Sequence, residues 1–170
     1  MAFEIAVAIR YLHSRNIIHC DLKSSNILID DNSNKIKIGD FGLSRIFNKS
    51  KPEENRGRIG TPHWMAPEVL RGEVYDEKAD IYSYGMILWE IISLEIPYYG
   101  INPYKLISLV AEKKIKVVIP DEGHVLIKKL IEWCLEYDRA KRPTLDKIVA
   151  ELERVQNLNK YYGKLGFIYL

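Results

Sequence analysis

One segment limits the fold more than any other. Ala79–Ser93 is apolar on nearly all sides, through Ile81, Tyr84, Met86, Ile87, Leu88, Trp89, Ile91 and Ile92. A helix that is hydrophobic all round has no face for water, so it belongs at the centre of the molecule with other helices packed round it. The rest of the chain supplies them. Phe3, Ala6, Val7, Arg10 and Tyr11 fall at helical intervals, which predicts an amphipathic helix over 2–14 that begins without a capping residue. Glu68–Leu70, Tyr104–Ala111, Val125–Leu135 and Leu145–Val155 read as further helices, the last opened by Pro143 with Thr144 as its N-cap. Ile17-Ile18-His19 is a short extended stretch. The β-branched runs Ile27-Leu28-Ile29 and Ile36-Lys37-Ile38 flank the polar cluster Asp30–Asn34, and together they predict a hairpin. The expected fold is mainly α with one small β-hairpin.

Bulk composition bounds what such a chain does. At 170 residues, with 47% hydrophobic and 28% charged residues, it fits one domain with a sizeable core. A net charge of +2 gives no reason to expect nucleic acid or a polyanionic surface as partner. No apolar run approaches a membrane span. Glu4 interrupts the apolar start and no basic segment leads it, which argues against a signal peptide. The two cysteines, Cys20 and Cys134, have no metal-like spacing, so a reducing, cytoplasmic setting is expected. Residues 43–63 are poor in apolar side chains and read as a long functional loop, and 157–170 read as a tail carrying Tyr161, Tyr162, Gly163 and Gly166.

Three short strings stand in order along the chain: His19-Cys20-Asp21-Leu22-Lys23-Ser24-Ser25-Asn26, then Asp40-Phe41-Gly42, then Ala66-Pro67-Glu68. Each recurs by chance when taken singly, and a lone Asp or Asn is usually a solvated loop residue. As an ordered set they resemble the catalytic loop, the magnesium loop and the end of the activation segment of a eukaryotic protein kinase. The resemblance covers residues 2–156 and implies the C-terminal lobe of the kinase fold, since no glycine-rich loop or Val-Ala-Ile-Lys strand precedes the strings.

The resemblance implies phosphoryl transfer from ATP with Mg2+, and it implies roles for particular residues. Asp21 would orient the attacking hydroxyl and Lys23 would sit on the γ-phosphate. Asn26 and Asp40 would hold magnesium, brought side by side by the hairpin between them, and Gly42 would let the backbone turn sharply. Ser25 belongs to the same nucleotide-binding loop, and Leu28 matches the apolar residue beneath the adenine. His19 and Phe41 match a hydrophobic stack that aligns the two lobes; plain core packing is the competing reading for these three. Glu68 and Arg142 match the pair that ties the activation segment to the helical lobe. Asp80 matches the acid that holds the catalytic-loop backbone.

Gly60-Thr61-Pro62-His63-Trp64-Met65 resembles the segment of tyrosine-kinase-like serine/threonine kinases. Thr61 would then bond near Asp21 and Lys23. His63, Trp64 and Met65 would form the shelf under a protein substrate bearing Ser or Thr. Local packing is the simpler reading of Trp64 and Met65. One departure concerns regulation. Cys20 stands where the family carries an arginine that pairs with an activation-loop phosphate, and 44–59 offers only Ser44 and Ser50 for phosphorylation. A thiol makes no such clamp; an inert buried thiol is the commoner case than a redox nucleophile. The other departure is the missing roof of the adenine pocket, which predicts weak ATP binding and negligible turnover by these residues alone. The rival reading is a non-catalytic interaction module docking through 104–111.

Overall fold

The computed structural model describes residues 1–30, 33, 35–47 and 60–162, the last five of these as backbone only. The expectations placed on Asp31, Asn32 and Asn34 of the hairpin turn, on Ser50 and the rest of 48–59, and on Gly163 and Gly166 lie outside the described residues.

Helix α3, Lys78–Ser93, is buried on every side from Ala79 to Trp89. It separates two cores. On one side Ile81, Tyr84, Ile87 and Leu88 pack with Ile5 and Ile9 of α1 (Ala2–Ser14), with Leu130 and Ile131 of α5 (Val125–Cys134), and with Ile148 and Leu152 of α6 (Leu145–Tyr162). On the other, Tyr82 and Met86 pack with Val69 and Leu70 of α2 (Pro67–Leu70) and with Leu106 and Val110 of α4 (Pro103–Ala111). An all-round apolar helix thus satisfies two partner layers at once. Gly85 permits the closest approach, because a Cβ there would stand 2.6 Å from the Cβ of Cys134. The buried Tyr84 hydroxyl donates to the Ala2 carbonyl at 3.0 Å, which fastens the start of α1 to the centre.

The strands are short and form two separate antiparallel pairs. Strands β2 (Ile27–Ile29) and β3 (Ile36–Ile38) form the expected antiparallel hairpin, with Ile27 opposite Ile38 and Ile29 opposite Ile36. A second ribbon was not anticipated: β1 (Ile17–Ile18) pairs with β4 (Arg45–Ile46). Two-residue strands carry no periodicity to detect. Helix α6 also runs past the expected stop at Val155 to Tyr162, since Gln156–Asn159 contain neither glycine nor proline to end it. Its N-cap is as expected, with the Thr144 hydroxyl accepting from the Lys147 amide at 3.3 Å. None of the helices of the described residues is long and apolar enough to cross a membrane.

Candidate active site

The segment from His19 to Asn26 runs from β1 into β2 and lies against the first turn of α3. Asp80, 1% exposed, anchors it there. Its carboxylate accepts from the His19 amide at 2.9 Å, from the Cys20 amide at 3.1 Å and from the His13 ring at 2.9 Å. Cys20 takes a left-handed φ of 68°, which turns both amides toward one carboxylate. The Asp21 amide donates to Nδ1 of His19 at 3.4 Å. Because an amide only donates, Nδ1 is an acceptor and Nε2 carries the proton. That proton goes to the Gly39 carbonyl at 2.9 Å, binding this loop to the strand leading to Asp40.

Asp21 and Lys23 project from this fixed backbone onto Thr61. Lys23 Nζ lies 2.8 Å from Asp21 Oδ2 and donates to Thr61 Oγ1 at 2.9 Å. Asp21 Oδ1 accepts from both the Thr61 amide, at 2.7 Å, and its hydroxyl, at 2.8 Å. Gly60 makes this contact possible: its φ is +120°, and a Cβ would come within 2.7 Å of the Cys20 carbonyl. The arrangement places a carboxylate, an ammonium and a hydroxyl in one cluster, with Asp21 only 8% exposed.

The Asn26 side-chain amide donates to the Asp21 carbonyl at 2.9 Å, an assignment that leaves its oxygen as the group to face a cation. The Gly39 amide donates to the Asn26 carbonyl at 2.9 Å, so Asn26 is paired beside Gly39 and Asp40 follows directly. Asp40 is exposed and takes φ 59°. Gly42 lies in the turn directly after it, closed by the Ser44 amide on the Phe41 carbonyl at 3.1 Å, and the Gly42 amide donates to Oδ1 of Asp40 at 3.4 Å. Among the described residues no group of three or more His, Cys, Asp or Glu could hold a metal. One carboxylate and one amide oxygen still fit magnesium, which takes few protein ligands and completes its shell with phosphate and water.

The apolar candidates fall differently. His19 is fully buried, but Leu28 is 51% and Phe41 46% exposed, so plain core packing does not describe those two. Phe41 meets the His19 ring edge-on at 5.1 Å. Leu28 lies over Gly39, beside Asp40, with Cδ1 at 3.1 Å from where a Cβ of Gly39 would be. Ser25 is exposed in the 3-10 turn Ser24–Asn26.

Thr61 to Met65 forms a tight double turn, closed by the Trp64 amide on the Thr61 carbonyl at 3.1 Å. Met65 is buried in the second core. Trp64 is half-buried, with its carbonyl accepting from Ser83 at 2.8 Å. His63 lies partly buried beside it, and that burial lowers its pKa. Arg142 and Glu68 form a bidentate pair at 2.6 and 2.7 Å, the two side chains 0% and 2% exposed. The remaining guanidinium protons go to the carbonyls of Glu136, Lys78 and Tyr137, so all five donors have partners.

Cys20 points away from this cluster, toward the Tyr75 hydroxyl at 3.7 Å. Burial, with Asp80 nearby, pushes its pKa up to about 11, so it is a thiol at neutral pH. Sequence reasoning missed His13 and Glu90. His13 braces Asp80 from α1; Glu90 accepts from Ser24 and from the Trp64 indole. A single His or Glu inside a helix carries no motif to mark it.

Residues 1–152 match the protein kinase domain family, and the chain belongs to that family. It is 44% identical over 91% of its length to a Dictyostelium discoideum protein named as a probable serine/threonine-protein kinase. It is 37% identical over 98% of its length to the serine/threonine-protein kinase STY46 of Arabidopsis thaliana, and 40% identical over 91% to the dual specificity protein kinase shkA of D. discoideum. The chain spans 11%, 28% and 30% of the lengths of these three relatives. Its fold, mainly helical with small strand pairs, is that of the C-terminal lobe of a kinase.

Proposed function

We propose that the protein containing this chain transfers the γ-phosphate of ATP to serine or threonine of a protein substrate. The observation that carries this reading is the cluster of Asp21, Lys23 and Thr61, held on a loop anchored at Asp80. Asp21 accepts hydrogen bonds on both carboxylate oxygens and takes the same kind of bond from a substrate hydroxyl, orienting its oxygen toward the phosphorus. Lys23 offers the ammonium to the transferred phosphoryl group, where negative charge is spread over the equatorial oxygens. Asn26 and Asp40 would hold magnesium, which when bound would supply charge neutralisation on the phosphates. Leu28 serves as the floor under the adenine, and Ser25 lies at the rim of the nucleotide site. Thr61, His63 and Trp64 form the shelf for the substrate backbone, with Met65 packed beneath them in the second core. The serine/threonine preference is supported by the names of two relatives above, and the dual-specificity name of the third makes tyrosine the control.

The test is phosphate transfer by the complete native protein to matched Ser, Thr and Tyr peptides with magnesium–ATP. Incorporation into Ser and Thr peptides is expected, with Asp21→Asn lower in kcat by about 10²–10⁴-fold, the range for losing a positioned acid–base group. Unchanged transfer by Asp21→Asn would overturn the assignment.

A further inference from the structure

Where the end of α1, strand β1 and the first turns of α3 and α6 meet, the fold leaves a cavity of about 290 Å³, at the lower end of the size range for small-molecule sites. None of Asp21, Lys23, Asn26 and Asp40 lines it, so the function proposed above makes no use of it. Its walls are apolar: Ile17, Ile18, Phe47, Ile81 and Leu145. Asn16 fixes one of them. Its left-handed φ of 56° turns its carbonyl onto the Phe47 amide at 2.6 Å.

The charged groups around this apolar interior differ in how far they are committed. Lys78 Nζ donates to the carbonyls of Arg142 and Pro143 at 2.8 and 2.9 Å. The His13 ring is held by Asp80 at 2.9 Å. Arg10 is the exception. Its ion-pair partner Asp146 stands 3.9 Å away, too far for a hydrogen bond, and among the described residues its guanidinium has no hydrogen-bond acceptor. The Asn16 side-chain amide has no partner among them either. A guanidinium with its donors unused, beside an apolar cavity, suits a planar carboxylate carried on an apolar body. Glu77 and Asp146 also line the cavity and disfavour a dianion such as phosphate. The volume suits a small molecule rather than a length of peptide.

We infer that this cavity binds a small apolar monocarboxylate, its carboxylate on Arg10 and Asn16 and its body against Ile17, Ile18 and Ile81. The ligand sits behind the anchor of the catalytic loop: His13 lines the cavity and bonds Asp80, and Ile18 directly precedes His19. It shares no residue with the proposed nucleotide floor, so it binds alongside magnesium–ATP rather than against it.

The experiment titrates the complete native protein with phenylbutyrate by calorimetry and follows its isoleucine methyl resonances. Saturable binding is expected, with the Ile17, Ile18 and Ile81 methyls shifting and the affinity unchanged by saturating magnesium–ATP. The neutral isostere phenylbutyramide, and phenylbutyrate with Arg10→Met, should each bind about ten- to a hundredfold more weakly, the scale of charge-assisted hydrogen bonds. Ser14→Trp, a large side chain at an exposed position that lines the cavity, should abolish binding. Equal affinity for acid and amide, an unaffected Kd in Arg10→Met, methyl shifts elsewhere, or displacement by magnesium–ATP would overturn the proposal. None of these readouts needs turnover. A protein that binds the acid at these methyls and transfers no phosphate would keep the cavity and sink the kinase reading; an active kinase that does not bind it would do the reverse.

Discussion

A buried ion pair and a half-buried thiol carry opposite kinds of risk. Glu68 and Arg142 neutralise each other in the interior, so removing one side leaves an uncompensated charge there. Glu68→Gln is expected to cost about 3–5 kcal/mol in urea or thermal unfolding, with Arg142→Lys also damaging, because lysine cannot supply five donors in one plane. Cys20 is a titration risk instead. Its pKa rises from 9.0 in the unfolded chain to about 11 in the fold, with burial the leading cause. The protonated thiol is the folded form, so its contribution is complete below pH 9 and is lost as pH rises toward about 11. Burial pushes Tyr75 and Cys134 the same way. Urea midpoints should therefore fall as pH rises above 9, and Cys20→Ser should flatten that decline; identical slopes in the two proteins would contradict it.

Between elements, the tightest restraint is where α3 meets α5. Gly85→Ala improves helix propensity by about 1 kcal/mol. The added methyl meets the Cys134 Cβ at 2.6 Å and Leu135 at 3.0 Å, both on a packed neighbour. Overpacking of this kind costs about 1–3 kcal/mol, so a lower melting temperature is expected and a higher one would show that α5 can give way. The elements also show what the sequence made legible. Helix α3 was readable because an apolar residue at nearly every position leaves no other place for it. Asp21, Asn26 and Asp40 were readable because the strings that carry them resemble the loops of protein kinases, and the hairpin accounts for the separation of Asn26 from Asp40. The left-handed backbone at Asp40 was not legible, because residue type gives no reason to expect a non-glycine residue at positive φ there. The β1–β4 ribbon, the end of α6 and the exposure of Leu28 and Phe41 depend on neighbours distant in sequence, which local pattern does not encode.

At the scale of the molecule, polar and apolar surface meet at one end. Leu28, which lies over Gly39, and Phe41 and Leu43, which follow Asp40, are all exposed. They form an apolar edge beside the proposed nucleotide floor, with contacts to a ligand from one side only. We expect these 170 residues alone to show no saturable ATP binding by calorimetry and no peptide phosphorylation, since small-molecule sites bury most of their ligand. Micromolar affinity with turnover would contradict this. The same edge should bind a hydrophobic dye more strongly in the isolated chain than in the complete protein.

Asp80 in the first turn of α3 holds the backbone of the catalytic loop, and Glu90 in its last turn holds Ser24 and Trp64. At a rise of about 1.5 Å per residue the two acids stand roughly 15 Å apart along one axis. The central helix is thus a ruler as well as a core: it meters the interval between its two acidic attachment points. Insertion of one residue between them would preserve hydrophobicity and length almost unchanged. It would also turn Glu90 by about 100° relative to Asp80, and the two marks would no longer read off against the same loop.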